Sequence, residues 1–309
     1  MPQLQMQALA PKASEAARWA TLPERGTPGS VRILAWIALH IGRWTARLLI
    51  YPITLYFLIT GHAARRISYD YLKRVRGGSA RSWHVFRHFY CFAATILDRV
   101  YLLRGEFERF NVTVHGKEVL QRQIDAGKGC ILLGSHLGSF EVLRALGVTQ
   151  RKFPLKVLMD PLHNENITRF LDELNPEIAQ TVIAPDRPDT LIKVKESLDA
   201  GYVIGMLGDR VSGGDKTTQC QFLGAPATFP AGPILLAAMM HCAVVLFFGL
   251  YRGGNRYEIY FEHFGGDIVV DRDHRAEDIA TWMQRYAERL EHYTCVAPYN
   301  WFNFYRFWD

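Results

Sequence analysis

From residue 111 onward, short apolar segments alternate with amphipathic ones. Strands that alternate with helices indicate a mostly parallel or mixed sheet with helices on both faces. We therefore predict an α/β fold whose reactive groups lie in the loops after the strands, at their carboxyl ends. The predicted strands are NVTVHG, CILLGS, LKVLM, TVIA, YVIGML, QCQFLG, AVVLFFGLY and YEIYFEHF. The predicted helices start at Lys117, at about Gly138, and at His163, Asp189, Gly232 and Arg275.

The segments before residue 111 differ in character, so we divide the chain into three regions. Residues 1–30 contain four prolines and lack the apolar core and cleavage site of a secretory signal, so we expect a mobile tail. Residues 31–110 are predicted to be helical, with a clear helical period over 83–103. Residues 111–309 form the predicted α/β domain. A chain of 309 residues is long enough for one large domain or two modest ones.

The region 31–110 is strongly basic, with thirteen Arg and Lys residues against four acidic ones. If residues 31–60 form one continuous helix, Arg32, His40, Arg43 and Arg47 lie within a sector of roughly 80°, and the other faces are apolar or aromatic. Residues 48–60 are uncharged and too few to span a bilayer, and Pro52 should bend or interrupt the helix. This pattern predicts an element that lies in the headgroup region of an anionic membrane. The next basic residues would also face lipid, namely Arg65, Arg66, Lys73, Arg74 and Arg76.

Two other interpretations of the basic region remain. The helices could form a buried hairpin from which arginine stems reach the surface. A nucleic-acid-binding protein would need aromatic residues interleaved with Arg on an exposed face, but Trp36, Trp44, Tyr51 and Tyr56 lie among Leu and Ile. We therefore expect no nucleic-acid partner.

Several common catalytic and metal motifs are missing or incomplete. The segment GCILLGSH has the glycine spacing of a phosphate-binding loop but lacks its lysine. The five cysteines are isolated, which is typical of neither a disulfide framework nor a zinc ribbon. His84 and His88 share a helix face without an evident third ligand. We therefore predict no metal and no cofactor.

The segment SHLGSFE follows the apolar strand CILLG. It places His136 at the carboxyl end of a strand and Glu141 at the start of the following helix. A carboxylate there could hold one imidazole nitrogen as N–H and leave the other free to remove a proton. Gly138 would let another chain segment pass close by, and amides at the helix start could stabilise an oxyanion. A structural histidine beside a capping carboxylate explains these two residues equally well.

The motif H-x4-E at 136–141 is followed along the chain by five further segments. They are DPLHN at 160–164, GDR at 208–210, FLGAPAT at 222–228, GP at 232–233 and PYNW at 298–301. With these segments in this order, the chain resembles the lysophospholipid acyltransferase superfamily over about residues 32–308, in particular its lipid A late-acyltransferase branch.

The resemblance implies a glycerolipid acyltransferase-like fold with His136 as general base and Glu141 as its orienting partner. It implies an acyl-CoA or acyl carrier protein donor and a lipid acceptor, at the cytoplasmic face of the bacterial inner membrane. Arg210 is our candidate for a phosphate or headgroup contact, with a surface salt bridge as the alternative. The implied or inferred substrate-binding residues are Ser135, Gly138, Asn164, Asp209, Arg210, Phe222 and Gly224.

Three departures from the lipid A branch bear on the acceptor. Asp160 stands where that branch often has Arg, Arg210 where it commonly has Gln, and the ending NWFNFYRFW lacks the usual basic motif. The acceptor is therefore expected to be a hydroxyl of a membrane lipid or of an envelope or pigment precursor. A lipid ester hydrolase that uses the same His and Glu residues to activate water is the alternative.

Overall fold

A computed structural model of the chain describes residues 28–143, 154–159, 181–185 and 187–308. The helix predicted over 163–174 and most of the predicted tail lie outside these ranges. The described helices are α1 (Pro28–His40), α2 (Arg43–Thr60), α3 (His62–Val75), α4 (Ser82–Leu103), α5 (Lys117–Asp125), α6 (Thr190–Asp199), α7 (Gly232–Met240) and α8 (Arg275–Val296). The described strands are β1 (Asn111–His115), β2 (Cys130–Gly134), β3 (Leu155–Leu158), β4 (Val182–Ile183), β5 (Val203–Leu207), β6 (Thr217–Phe222), β7 (Ala225–Pro230), β8 (Ala243–Tyr251) and β9 (Arg256–Gly265).

The predicted α/β class is confirmed. Seven strands form one sheet in the order β1-β9-β8-β2-β5-β3-β4. Five neighbouring strands are mutually parallel, namely β8, β2, β5, β3 and β4. Strand β9 runs antiparallel to β8, and β1 pairs parallel with β9. Strand β2 lies inside the sheet and all five of its residues are buried, because helices cover both faces.

Alternate residues of the sheet enter two cores. Ile131 and Leu133 of β2 pack with α7, α8 and the C-terminal segment on one face. Cys130 and Leu132 point to the other face, where α1, α2, α4 and α5 contribute Ala38, Ile50, Leu97 and Leu120 among others. The N-terminal helices are thus part of the fold's second core.

Only one of the two strands of the β6–β7 hairpin was predicted from the sequence. The sequence QCQFLG forms β6 as expected, but it pairs antiparallel with β7, outside the main sheet. Strand β7 reads APATFP, and its two prolines obscured it as a strand. Leu223 and Gly224 connect the strands with φ of 49° and 76°, which are the left-handed values of a two-residue type I′ turn.

The N-terminal helices differ from prediction in two respects. The helical run predicted over 31–60 is broken between α1 and α2 at Gly42, whose φ is 126°. Helix α2 nevertheless continues through Pro52, which therefore does not interrupt it. No helix in the described ranges is both long and apolar enough to cross a membrane.

The largest correction to the prediction concerns the direction in which the basic side chains of α2 point. Arg43 makes a bidentate contact with Asp98 of α4, at 2.9 and 3.0 Å. Arg47 binds the same carboxylate at 2.8 Å and also donates to the Tyr251 hydroxyl at 2.8 Å. Asp98 is fully buried, so these two arginines face the protein interior and do not form the predicted lipid-facing stripe. An ion-pair partner from another helix turned this part of the predicted basic stripe inward.

Candidate active site

Two adjacent strands deliver the central pair of side chains. Strands β2 and β5 are parallel, and their register places Gly134 opposite Leu207. His136 and Asp209 each lie two residues beyond these positions. Because the carboxyl ends of parallel strands meet at one edge of the sheet, the two side chains come together there.

The Asp209 carboxylate receives several hydrogen bonds. The backbone N–H of His136 donates to Oδ1 and Oδ2 at 3.1 and 3.0 Å, and the Trp301 indole N–H donates to Oδ2 at 2.9 Å. The imidazole Nδ1 of His136 lies 2.8 Å from Oδ1. Since an ionised carboxylate only accepts hydrogen bonds, Nδ1 must carry the proton of a neutral imidazole. Nε2 then holds the lone pair that a general base needs.

The electrostatics favour a neutral imidazole beside an ionised carboxylate. Burial and the positive charge of Arg210 lower the pKa of His136, against the opposing pull of Asp209, and Arg99 lowers it further. Burial alone would raise the pKa of Asp209, but the contacts with His136, Arg210 and the Trp301 indole bring it below its usual value. The His136 side chain retains 27% exposure, whereas that of Asp209 retains 1%, so the imidazole is the group that a substrate can reach.

The loop that carries His136 is clamped on both sides. The N–H of Gly138 donates to the carbonyl of Asn300 at 2.8 Å, and that of Ser139 donates to Gly249 at 2.8 Å. The predicted close passage at Gly138 is confirmed: its φ is 78°, and a Cβ there would lie 1.9 Å from the Gly249 oxygen. The approaching chain is the protein's own strand β8. The amides of residues 136, 138 and 139 are all used in internal hydrogen bonds, which leaves them poorly placed to stabilise a substrate oxyanion.

Glu141 is not the carboxylate that binds the His136 imidazole, although the sequence predicted this role for it. The carboxylate hydrogen-bonded to Nδ1 of His136 belongs to Asp209, whereas the sequence had suggested Glu141 for this position. Glu141 is buried at the start of the helix and lies 3.5 Å from the Arg99 guanidinium. Arg99 also influences the pKa of His136. Sequence reasoning missed Arg99 because it lies on α4, and no local motif links that helix to residue 136.

The other predicted binding residues have varied surroundings. Ser135 is buried at the end of β2. Arg210 donates to the Phe302 carbonyl at 2.9 Å, and its guanidinium lies 5.8 Å from the centre of the Tyr305 ring. Both of these neighbours belong to the C-terminal segment. Asn164 lies outside the described residues.

The segment around Phe222 approaches the site through other side chains. Phe222 is fully buried, and its ring lies 5.1 Å from that of Trp301, whose indole binds Asp209. Gly224 occupies the β6–β7 turn, where its positive φ explains the residue type. Trp301 is a residue of the candidate site to which the sequence analysis assigned no role, although it lies in the PYNW segment that carried part of the resemblance.

Both histidines considered as metal ligands make other contacts. His84 accepts at Nδ1 from the backbone N–H of Arg81 at 3.0 Å. The buried His88 donates from Nε2 to the Trp301 carbonyl at 2.9 Å and accepts from the Ser68 hydroxyl at Nδ1, 2.7 Å away. Burial lowers the pKa of His88 to about 4. Within the described ranges, no group of three or more His, Cys, Asp or Glu side chains is arranged to hold a metal ion.

Comparison with protein families identifies the family of the chain that carries this site. Residues 97–309 match the family described as bacterial lipid A biosynthesis acyltransferase. The chain belongs to this family. The predicted membership is therefore confirmed, and with it the general activity, acyl transfer to a lipid. A search of curated proteins found no match. The matched region includes α4 from Leu97 onward, so it covers both Asp98 and Arg99 as well as the His136 loop.

Proposed function

We propose that the protein transfers a fatty acyl group from a thioester, on CoA or acyl carrier protein, to a hydroxyl of a membrane lipid or of a lipid-like envelope or pigment precursor. The observation that supports this mechanism is the His136–Asp209 pair at the carboxyl ends of β2 and β5, in a chain of an acyltransferase family. Its hydrogen-bond pattern leaves Nε2 of His136 as the base.

In the proposed reaction, Nε2 of His136 takes the proton of the acceptor hydroxyl as the oxygen attacks the thioester carbonyl. The new C–O bond forms, the C–S bond breaks, and the imidazolium returns its proton to the departing thiolate. No acyl-enzyme is required. General base action contributes roughly 10²–10⁴-fold, so the remaining acceleration must come from holding both substrates in position and from stabilising the oxyanion.

Positive side chains are better placed to stabilise that oxyanion than the amides of residues 136, 138 and 139. Arg210 and Arg99 both act electrostatically on His136, whereas these three amides are already hydrogen-bonded within the protein. Glu141 would act here by holding Arg99 in place. We retain Glu141 as a candidate for the active site, with Asp209 as the direct partner of the imidazole. Gly138 shapes the loop, and Ser135, Phe222 and Gly224 would border the substrates.

A membrane location is the second part of the proposal. The exposed side of α1 and α2 is strongly apolar: Trp44 is 85% exposed and Leu48 is 67% exposed. Further exposed apolar residues on the same two helices and in the turn between them are Ile33, Trp36, Ile41, Tyr51, Leu55, Tyr56 and Ile59. A surface of this size and composition is typical of an element that enters one leaflet. We place it on the cytoplasmic side of the inner membrane, where a cytosolic thioester and a lipid acceptor can meet at an anionic surface.

The activity is tested by following thioester consumption with and without a lipid acceptor. Acyl transfer requires the acceptor, whereas the alternative, a lipid ester hydrolase, releases free fatty acid in its absence. His136→Ala should abolish transfer and leave the fold intact, and Glu141→Ala should lower transfer by releasing Arg99. His136→Ala that retained more than about a tenth of the wild-type kcat would contradict the general-base role.

The membrane part is tested by vesicle flotation. Trp44→Gln combined with Leu48→Gln should reduce binding by roughly a hundredfold or more, because each apolar side chain contributes roughly 1.5–3 kcal/mol when fully inserted and about 1.4 kcal/mol corresponds to a factor of ten. The matched control is Leu191→Gln with Ile192→Gln, which removes two exposed apolar side chains from α6. Equal losses in the two variants, or none in either, would rule out α1–α2 as the membrane-binding surface.

A further inference from the structure

A basic cavity lies between α3 and the C-terminal end of the described chain. Its volume is about 580 Å³. One wall comes from α3, where Arg66, Asp70 and Lys73 are spaced by four and three residues and so share a helix face. The other wall is the segment 305–308.

The charge of the cavity is strongly one-sided. Four cationic side chains line it, against the single carboxylate of Asp70: Arg66, Lys73, Arg74 and Arg306. Within the described residues, neither Arg66 nor Lys73 forms an ion pair with a carboxylate. Arg74 lies against the Trp308 ring, 4.6 Å from its centre. Several cations held around a concave surface favour a ligand with more than one negative charge.

The cavity shares a wall with the active site. Tyr305 lines the cavity and donates from its hydroxyl to the main-chain oxygen of Asp209 at 3.4 Å. The Arg210 guanidinium lies on the Tyr305 ring. Trp308 packs 5.9 Å from Trp301, centre to centre, and Trp301 binds the Asp209 carboxylate. A ligand in the cavity would therefore contact the segment that holds the His136–Asp209 pair.

We propose that this cavity binds a phosphate group carried by one of the two substrates. The inference rests on the proposed acyl transfer, because both substrate classes carry phosphate: the phosphopantetheine or nucleotide part of the donor, and the headgroup of a phospholipid. Arginine forks and lysine ammonium groups are the side chains that recognise phosphate oxygens. Binding there would place one substrate beside the loop of His136 while its reactive end reaches the imidazole.

The test measures binding directly, without turnover. Free coenzyme A is titrated calorimetrically into the wild type and into Arg66→Ala/Lys73→Ala, and pyrophosphate is added as a competitor. The control is Arg65→Ala/Arg76→Ala, which removes two exposed charges, one on α3 and one directly after its last residue, both outside the cavity lining. A parallel arm measures flotation on phosphatidylcholine vesicles with and without phosphatidylglycerol. Thermal unfolding checks that all variants are folded.

If the donor supplies the phosphate, the cavity variant should weaken coenzyme A binding about tenfold, as expected for the loss of two charge-assisted contacts, and the control should not. If a lipid headgroup supplies it, the cavity variant should lose more affinity for the anionic vesicles than the control does, with coenzyme A binding unchanged. Equal effects of the two variants on both probes, or no binding of either probe by the wild type, would overturn the proposal. Phosphate binding without acyl transfer would instead refute the proposed function alone.

Discussion

Replacing Asp209 with Asn tests whether this carboxylate sets the state of His136. The substitution keeps the shape of the side chain and removes its charge. Asp209 accepts hydrogen bonds from the backbone N–H of His136, from its Nδ1 and from the Trp301 indole. An asparagine has only one acceptor oxygen, so its NH₂ group must face at least one of these donors. The simplest relief is an imidazole with its proton on Nε2, which can no longer act as the base.

The size of the effect follows from the role assigned to the base. General base catalysis contributes roughly 10²–10⁴-fold, so Asp209→Asn should lower kcat by at least about 10². Loss of the negative charge also disfavours the imidazolium that forms during attack, which lowers the pKa of His136 further. The buried mismatch should lower the free energy of unfolding by about 1–3 kcal/mol, which urea denaturation can measure separately.

The assay is single-turnover acyl transfer at saturating donor and acceptor. Asp209→Asn is compared with Glu141→Gln and combined with His136→Ala. If Asp209 acts through the imidazole, it should have little further effect once His136 is absent, because residues that act as a unit are strongly non-additive. A folded Asp209→Asn protein within tenfold of the wild type, or a full additional loss in the double variant, would refute this reasoning. A larger loss from Glu141→Gln would return the orienting role to Glu141.

Three further predictions follow from the described contacts. Because the pKa of His136 is lowered, activity should be constant at neutral pH and fall only below about pH 6.5. Arg210→Gln should raise the pKa of His136, which NMR titration can measure without substrate. An unchanged or lower pKa would contradict the electrostatic effect of Arg210 on His136. Asp98→Ala should lower the free energy of unfolding by about 3–5 kcal/mol in urea, since it leaves two largely buried arginines without their carboxylate, and a loss below about 1 kcal/mol would contradict this. Trp301→Phe removes one hydrogen bond from Asp209 and should lower kcat more than it raises KM; a change in KM alone would indicate a substrate contact instead.

Much of the α/β architecture was predictable because the strands have a strong local signal. Strand β2 is apolar throughout and ends in a glycine, so its position and the location of His136 just after it could be read directly. The hairpin partner β7 was not predictable by the same means, because a strand outside the main sheet tolerates the prolines that normally argue against one.

The partner of His136 was harder to identify, for a physical reason. Glu141 is close in sequence, and Asp209 is 73 residues away. Proximity in sequence favoured Glu141, but the register of the sheet decides which side chains meet. This register depends on strand pairing, which cannot be deduced from the local sequence. The signal was nevertheless present: both His136 and Asp209 lie two residues after a buried apolar strand, and β2 and β5 are neighbours. A search for polar residues at equal distances beyond predicted parallel strands would have found the pair.

The orientation of α2 shows why amphipathicity alone cannot assign a membrane face. Its sequence has basic residues on one side and apolar residues on the other, and either side could be turned outward. Asp98 decides, because its buried carboxylate is compensated by Arg43 and Arg47 together. Turning the arginines outward would leave a buried charge without a partner. The outward side is then the apolar one, with Trp44 and Leu48, so attachment to a membrane through α2 should depend on apolar insertion and respond weakly to salt. A salt-sensitive part of the binding is expected from α3, whose exposed Arg66, Lys73 and Arg74 side chains also line the basic cavity.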